Sequence, residues 1–416
     1  MKTKLILFVI LIPFITLGQT EGVILKNAIV HVGNGKVLNG ATVVFRNGII
    51  ENVGTDIRVD ESGFKVFDLK GKHLYPGLIC LNTFMGLNEI DAVRSTRDYN
   101  ETGQVNPNVR SLIAYNTDSK VVPTALFNGI TLSQVVPQGG LISGQSSVIK
   151  TLGWNWEDAM FAADDGVHLN WPEISPWRDA AKEKEKVAKD FLALTEIFEQ
   201  ALQYSSTTNP EKRNIRLESM IGLFNGTKRL YIHLYSANAI LESIRFFGKY
   251  PTIKIVLVGA SEAWMVTGIL KEHHIPVILD FTHKLPLHGY DPVDLSYKLP
   301  SLLMKEGILI AIGHGGSWES RNLVFNAGTA AAYGLSKEEA LQCITLNAAM
   351  ICGIGNSAGS IEVGKTANIL VSKGDILDIK SNRIEKIFIG GEECNLVNQQ
   401  ELLYKKFMKK YGFSTE

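Results

Sequence analysis

Neither sign of charge prevails in this chain: 42 lysines and arginines balance 42 aspartates and glutamates. That argues against a nucleic-acid or anionic-membrane partner held by bulk electrostatics. Cysteine is scarce as well. Cys80, Cys343, Cys352 and Cys394 form no CxxC pair and no zinc-type spacing, so no redox dithiol and no disulfide framework is expected. Cys343 and Cys352 fall in an apolar helical stretch, where a thiol behaves as a small hydrophobe. Past the first twenty residues no apolar run is long enough to span a bilayer, which takes roughly 20 residues. No internal repeat is present, which removes the solenoids, and the glycine-rich stretch Gln138–Gln145 is neither a GxGxxG turn nor a P-loop.

What is present begins with a targeting segment. Lys2 and Lys4 precede an apolar run, Leu5–Leu17, that ends in small Gly18 before polar Gln19. This is the pattern of a secretory signal peptide over residues 1–18. No cysteine follows the run, so a lipoprotein anchor is not expected, and the chain is read as exported, to the bacterial periplasm or the medium. The remaining length, 45% hydrophobic residues and 38 glycines suit a compact α/β protein with tight turns.

Residues 22–70 alternate in apolar runs, with Asn47-Gly48 as a hairpin turn. A second β unit, Asn368–Val371 and Ile384–Ile389, follows residue 358. Between them strands alternate with helical patterns, which argues for βαβ units. Candidate strands are Leu78–Leu81, Ile130–Val136, Arg229–Leu234, Lys254–Val258, Pro276–Asp280 and Ile308–Ile312. Helices are expected over Ser236–Phe247, Glu262–His273 and Ser336–Ile351, the last with a Ser336/Glu339 capping box. Residues 178–203 read as an amphipathic helix with Val187, Phe191, Leu194, Phe198 and Leu202 on one face. Gln399–Tyr411 reads as a short basic helix docked on the body.

The organising stretch is His73-Leu-Tyr-Pro-Gly-Leu-Ile-Cys-Leu-Asn-Thr-Phe84: a Pro76-Gly77 turn, a buried strand and a polar loop. Downstream lie Gly334–Leu341, Ile344–Ala349 and Gly359–Asn368. Together these blocks resemble the amidohydrolase superfamily, most closely its imidazolonepropionase-like branch, over roughly residues 22–390. The resemblance implies a (β/α)8 barrel over residues 74–357. It also implies a small β-sandwich built from 19–73 and 358–398, with a helix over 399–416. The implied activity is hydrolysis of a non-peptide C–N bond, in a cyclic amide or small dipeptide-like substrate, by water activated on zinc or a similar divalent metal. A binding protein without a metal is the rival.

The family's metal ligands can be sought one by one. Its first strand carries Asp and then His-x-His, where this chain has Cys80, Asn82 and Phe84. The fifth strand supplies His233. The sixth, ending at Gly259, supplies no histidine, and the eighth offers His314 where the family has a catalytic Asp. On the fourth strand His168 is the candidate for the bridging ligand. The positions Asn82, Phe84 and Gly259 are thus degenerate, because a Phe cannot ligate and an amide is a poor donor for such a metal. Gly140, Ser143 and Gln145, in a glycine-rich turn, are candidates for lining the pocket, with Arg97 from a charged loop that also holds Arg94 and Asp98. His283 stands in reserve after the seventh strand, with His288 beyond it. Trp154, Trp156, Trp171 and Trp177 are expected to crowd together under a lid. A small-molecule substrate or ligand is the expected partner, and a homo-oligomer is left open.

Overall fold

The computed structural model describes residues 22–414 apart from 175–178, 208–209, 211, 287 and 290. The segment read as a signal peptide, residues 1–18, and Trp177 therefore lie outside the described residues. The chain starts with β1 (Gly22–His31), β2 (Val37–Arg46), β3 (Ile49–Gly54), β4 (Phe64–Asp68) and β5 (His73–Pro76). The barrel follows, with β6 (Leu78–Thr83), β7 (Ile130–Val135), β8 (Ile142–Lys150), β9 (Met160–Asn170), β10 (Arg229–Leu234), β11 (Lys254–Gly259), β12 (Val277–Leu279) and β13 (Ile310–Ile312). The chain then returns through β14 (Ile369–Ser372), β15 (Ile384–Ile389) and β16 (Glu392–Glu393).

The first and last groups make one sheet, ordered β16-β15-β14-β5-β1-β2-β3 with β4 also on β1. β14 lies antiparallel against β5, Leu370 opposite Tyr75. The two ends of the chain are joined in one sheet.

The second sheet runs β6 through β13 in chain order. It closes where the His314 amide donates to the Leu81 carbonyl at 3.1 Å and the Thr83 hydroxyl donates to the Gly316 carbonyl at 2.6 Å. Alternate residues of a strand point to opposite faces. Ile79, Leu81, Leu132, Val148, Tyr231, Val256, Val258, Ile278 and Ala311 form the interior, floored by Ala348, Ala349, Ile351 and Cys352 of helix Leu346–Cys352. The intervening residues face the surrounding helices in the largest core.

Seven strands run parallel and β8 runs against both neighbours. Two strands, β8 and β9, fall outside the candidate strand ranges read from the sequence, although His168 does lie on the fourth strand as expected. Gln138–Gln145 is accordingly not a strand-to-helix turn. Gly139 and Gly140, both at positive φ (85° and 65°), turn β7 directly into β8.

Several expected helices appear with modified ends. Ser336 and Glu339 form the reciprocal capping box, but the helix it starts stops at Cys343, and Leu346–Cys352 is a separate element. On helix Ala180–Ser205 the buried face is Leu194, Phe198 and Ala201, while Leu202 points outward. No helix among the described residues is long and apolar enough to cross a membrane.

Candidate active site at the barrel mouth

The C-terminal ends of β9 and β10 bring two histidines together. His168 and His233 share the inward face with Tyr231, and Tyr231 pairs in register with His168. The Nδ1 atom of His168 lies 2.8 Å from the Nε2 atom of His233. His168 also stacks on Tyr231, ring centroids 4.6 Å apart and planes 11° off parallel. Burial holds both imidazoles below their ordinary value, His168 well below and His233 to about 4, with the Asp280 carboxylate pulling His233 the other way. Both rings are therefore neutral at pH 7. One of the facing nitrogens carries the shared proton, and Nε2 of His168 is buried without a protein partner.

One layer deeper lies a polar cluster that sequence reasoning missed. Asp165 Oδ2 accepts from the Tyr231 hydroxyl at 2.6 Å and from Gln134 Nε2 at 2.7 Å, and Oδ1 accepts from the Ser146 hydroxyl at 2.7 Å. Asp165 faces inward because β9 bulges against β8, with Asp164 at φ 51°; an extra residue in one strand re-aims the next side chain. Burial pushes the Asp165 carboxyl upward, against its three donors and the charge of Arg229. Gln134 Oε1 then accepts from the backbone N–H of Asn82 at 3.3 Å, linking this cluster to the first barrel strand.

Asn82 sits at a second bulge, at φ 56° and nearly buried, beside Gly315. Asparagine tolerates that left-handed backbone better than most residues. Phe84 packs at 5.0 Å on Tyr99, with the outer core. Its ring does not join the interior cluster, which corrects its reading as an inward position. On β11 the inward residue level with His233 is Val258. Gly259, at φ 90°, has the Leu234 carbonyl 2.9 Å from where a Cβ would stand. After Ala311 the next position in the inward alternation is Gly313, just past the end of β13, where a Cβ would meet the Leu81 carbonyl at 2.8 Å. His314 comes one residue later, buried and stacked on Phe281, its Nδ1 accepting from the Gly316 amide at 3.1 Å. Burial lowers its pKa too.

The other candidates divide. Gly140 and Ser143 are held at the rim by Asn170, whose Nδ2 donates to the Gly140 carbonyl at 2.9 Å and to the Ser143 hydroxyl at 3.0 Å. Gln145 points away from the interior, onto the Lys228 ammonium. Arg97 is exposed on its loop, and His283 is exposed and bonded to Thr329 at 2.6 Å. Among the described residues Trp154 and Trp171 do not share a cluster: Trp154 is 92% exposed, while Trp171 packs edge-on against Phe191 and Phe246 outside the barrel.

A catalytic zinc takes about three protein donors and an open position. Among the described residues no three His, Cys, Asp or Glu side chains converge on one point. His168 and His233 offer two donors, and Phe84, Val258 and Gly313 offer none. The side chains at this mouth do not fit the family's complete ligand set.

Comparison with known proteins agrees with the geometry of the fold. The signature of the amidohydrolase family matches residues 300–394. An imidazolonepropionase of Flavobacterium psychrophilum is 24% identical over 186 residues, 39% of this chain and 45% of that protein. The match thus spans under half of that relative's length. An amidohydrolase from Thermotoga maritima superposes with a TM-score of 0.79 at 26% identity, covering 90% of this chain and 99% of that one. A prolidase complexed with N-methylphosphonate-L-proline shares the fold with a TM-score of 0.57 at 16% identity, over 90% and 99% of the two chains. With its barrel, its two-ended sheet and these likenesses, the chain belongs to the amidohydrolase superfamily.

Proposed function

We propose that this chain is a hydrolase of small amides, acting after export on a C–N bond in a cyclic amide or dipeptide-like molecule bound at the barrel mouth. The observation that carries the reading is the His168–His233 pair, two neutral imidazoles 2.8 Å apart at the C-terminal end of the barrel, the end where barrel enzymes place their chemistry. His233 keeps partial solvent contact, so it can meet a ligand, and as a neutral ring it can accept a proton from an attacking water. The Asn82 carboxamide at the opposite rim has both a donor and an acceptor for an amide group. The relatives named above support the substrate class. The Lys2/Lys4 and Leu5–Leu17 pattern supports export.

A second reading rests on the donor count. With only two histidine donors in place, the barrel would bind the same class of molecule without turning it over. One experiment separates the two: turnover of a panel of cyclic amides and Xaa-Pro dipeptides by wild type and His233→Ala, with elemental analysis of both. Turnover lost in His233→Ala supports the hydrolase. Binding by calorimetry with no turnover in wild type selects the second reading, and neither binding nor turnover across the panel refutes both.

A further inference from the structure

Outside the barrel one helix face is left uncovered. Helix Gln399–Lys410 is capped by Asn398, whose side chain accepts from the Glu401 amide at 2.8 Å. Just before it Leu396 packs on the main core, and Gln400 accepts from the Thr124 hydroxyl at 3.0 Å. Beyond that first turn the helix leaves the body, and none of its residues is buried. The first turn is docked as expected, through Gln400 and the preceding Leu396, while the residues beyond it stay exposed.

Leu403, Phe407 and Tyr411 recur at four-residue steps and so share one face, which Tyr404 and Met408 widen. Leu403, Tyr404, Phe407 and Tyr411 are between 40 and 63% exposed, and Phe413 just beyond is 64% exposed. Lys405, Lys406 and Lys409 fall on the other side of the helix around the exposed Leu402, with Lys405 paired to Glu401 at 3.2 Å, and Lys410 flanks the apolar face beside Leu403. Four lysines against Glu401 give the helix a formal +3, within a chain whose total is zero. The balanced overall composition hides this local excess.

We propose that this helix docks the protein on an anionic lipid surface, lying in the plane of the interface. Its apolar face would enter the headgroup boundary, with the tyrosine hydroxyls and lysine ammonium groups reaching back to water and phosphate. Charge selects this occupant, because lysines around an aromatic stripe form the arrangement that anionic headgroups attract. A second copy of the chain would set a like-charged helix of formal +3 against this one, which charge disfavours.

The test is co-sedimentation of the full chain, purified after export, with vesicles of phosphatidylcholine alone or with about a quarter phosphatidylglycerol. Wild type and variants are run together, so that any contribution from the N-terminal segment is common to all. The expected result is binding to the anionic vesicles at least about tenfold tighter than to the neutral ones, since each lysine near such a surface contributes on the order of 1 kcal/mol, and release as salt rises. Leu403→Glu with Phe407→Glu should abolish the binding. Lys405, Lys406, Lys409 and Lys410→Gln should remove the preference. Thermal midpoints should stay unchanged, because the substituted side chains lie outside the core. Equal binding to both vesicles, no binding, or binding indifferent to these substitutions overturns the proposal. So does a concentration-dependent dimer that Phe407→Glu dissolves in the absence of vesicle binding, which would assign the face to a second copy.

Discussion

Asp165 is the residue whose replacement tests the barrel interior most directly. It is buried, and three buried groups donate to it: the Tyr231 hydroxyl, the Ser146 hydroxyl and Gln134 Nε2. Asp165→Ala orphans all three. Ser146 and Gln134 lie 3.4 Å apart and can turn to each other, so about two donors stay unpaired. At roughly 1–3 kcal/mol for each buried unsatisfied group, the loss is on the order of 3–5 kcal/mol, a large share of the 5–15 kcal/mol that typically holds a domain. Asp165→Asn is different. Its amide oxygen can keep Tyr231 and Gln134 while its NH2 turns to the Ser146 oxygen, so the cost at acid pH is about 1 kcal/mol.

The two variants also part in pH dependence. Burial raises the Asp165 pKa in the folded protein above its ordinary 3.8. A group raised in this way contributes stability that is fully present below the unfolded value and is lost as pH rises through the folded one. The asparagine has no such loss. The stability of Asp165→Asn relative to wild type should therefore improve steadily as pH climbs from about 4. Urea unfolding of wild type and both variants between pH 4 and 8 measures this, and the difference between variants cancels the share of the histidines. A gap that is constant, or that moves against the asparagine as pH rises, would mean that the three donors outweigh burial, and the assignment of a raised pKa would fail.

Other expectations follow from the same geometry. His233→Ala removes the bond to His168 and should lower stability by about 0.5–1.5 kcal/mol at pH 7; because the folded-state value is depressed to about 4, that contribution should fade as pH drops from 6.5 toward 4, as thermal midpoints across that range will show. The same midpoints with and without chelator report whether the two donors recruit a metal; a chelator-sensitive wild type beside a chelator-blind His233→Ala would place the metal at this pair. Asn82→Ala forces a Cβ-bearing residue without a local polar contact into the left-handed region at φ 56° and should cost about 1–2 kcal/mol, whereas Asn82→Gly should cost less; denaturant midpoints that rank the two the other way round count against backbone strain at this bulge. Mass spectrometry of the exported protein should show a chain beginning near Gln19, and an intact Met1 there would refute the signal peptide.

Much of the fold was legible from the sequence because its outer layers obey simple periods. Leu78–Leu81, Arg229–Leu234 and Lys254–Val258 are apolar runs long enough to be buried strands, and the Ser336/Glu339 pair marks a helix start by its spacing alone. The strands β8 and β9 were not legible. Ile142–Lys150 contains Ser143, Gln145, Ser146 and Ser147, all buried, and such a stretch looks like a loop until its partners across the barrel are known. Asp165 was hidden for the same reason, since its inward aim comes from a bulge set by pairing with β8. His233 could be found from its place at the end of an apolar strand. Its contact with His168 could not, because it depends on the register of β9 against β10. These failures concern polar groups whose meaning lies in a neighbour far along the chain.

The joining of both ends of the chain in one sheet has a consequence for the order of assembly. The strands made first, β1 to β5, cannot complete their sheet until β14 arrives to pair with β5, Ser372 opposite His73. The floor of the barrel, helix Leu346–Cys352, is also made late. Domains commonly fold as they emerge, N-terminal part first. Here the earliest strands must wait with Val30, Val43 and Leu74 uncovered until most of the chain has followed. Contacts this distant in sequence form slowly. A nascent chain cut off before residue 369 should bind chaperones and resist compaction, and one allowed to finish should clasp its own beginning as a last step. Such a chain stays threadable until its end is free, which is the state that passage through a narrow translocation channel demands.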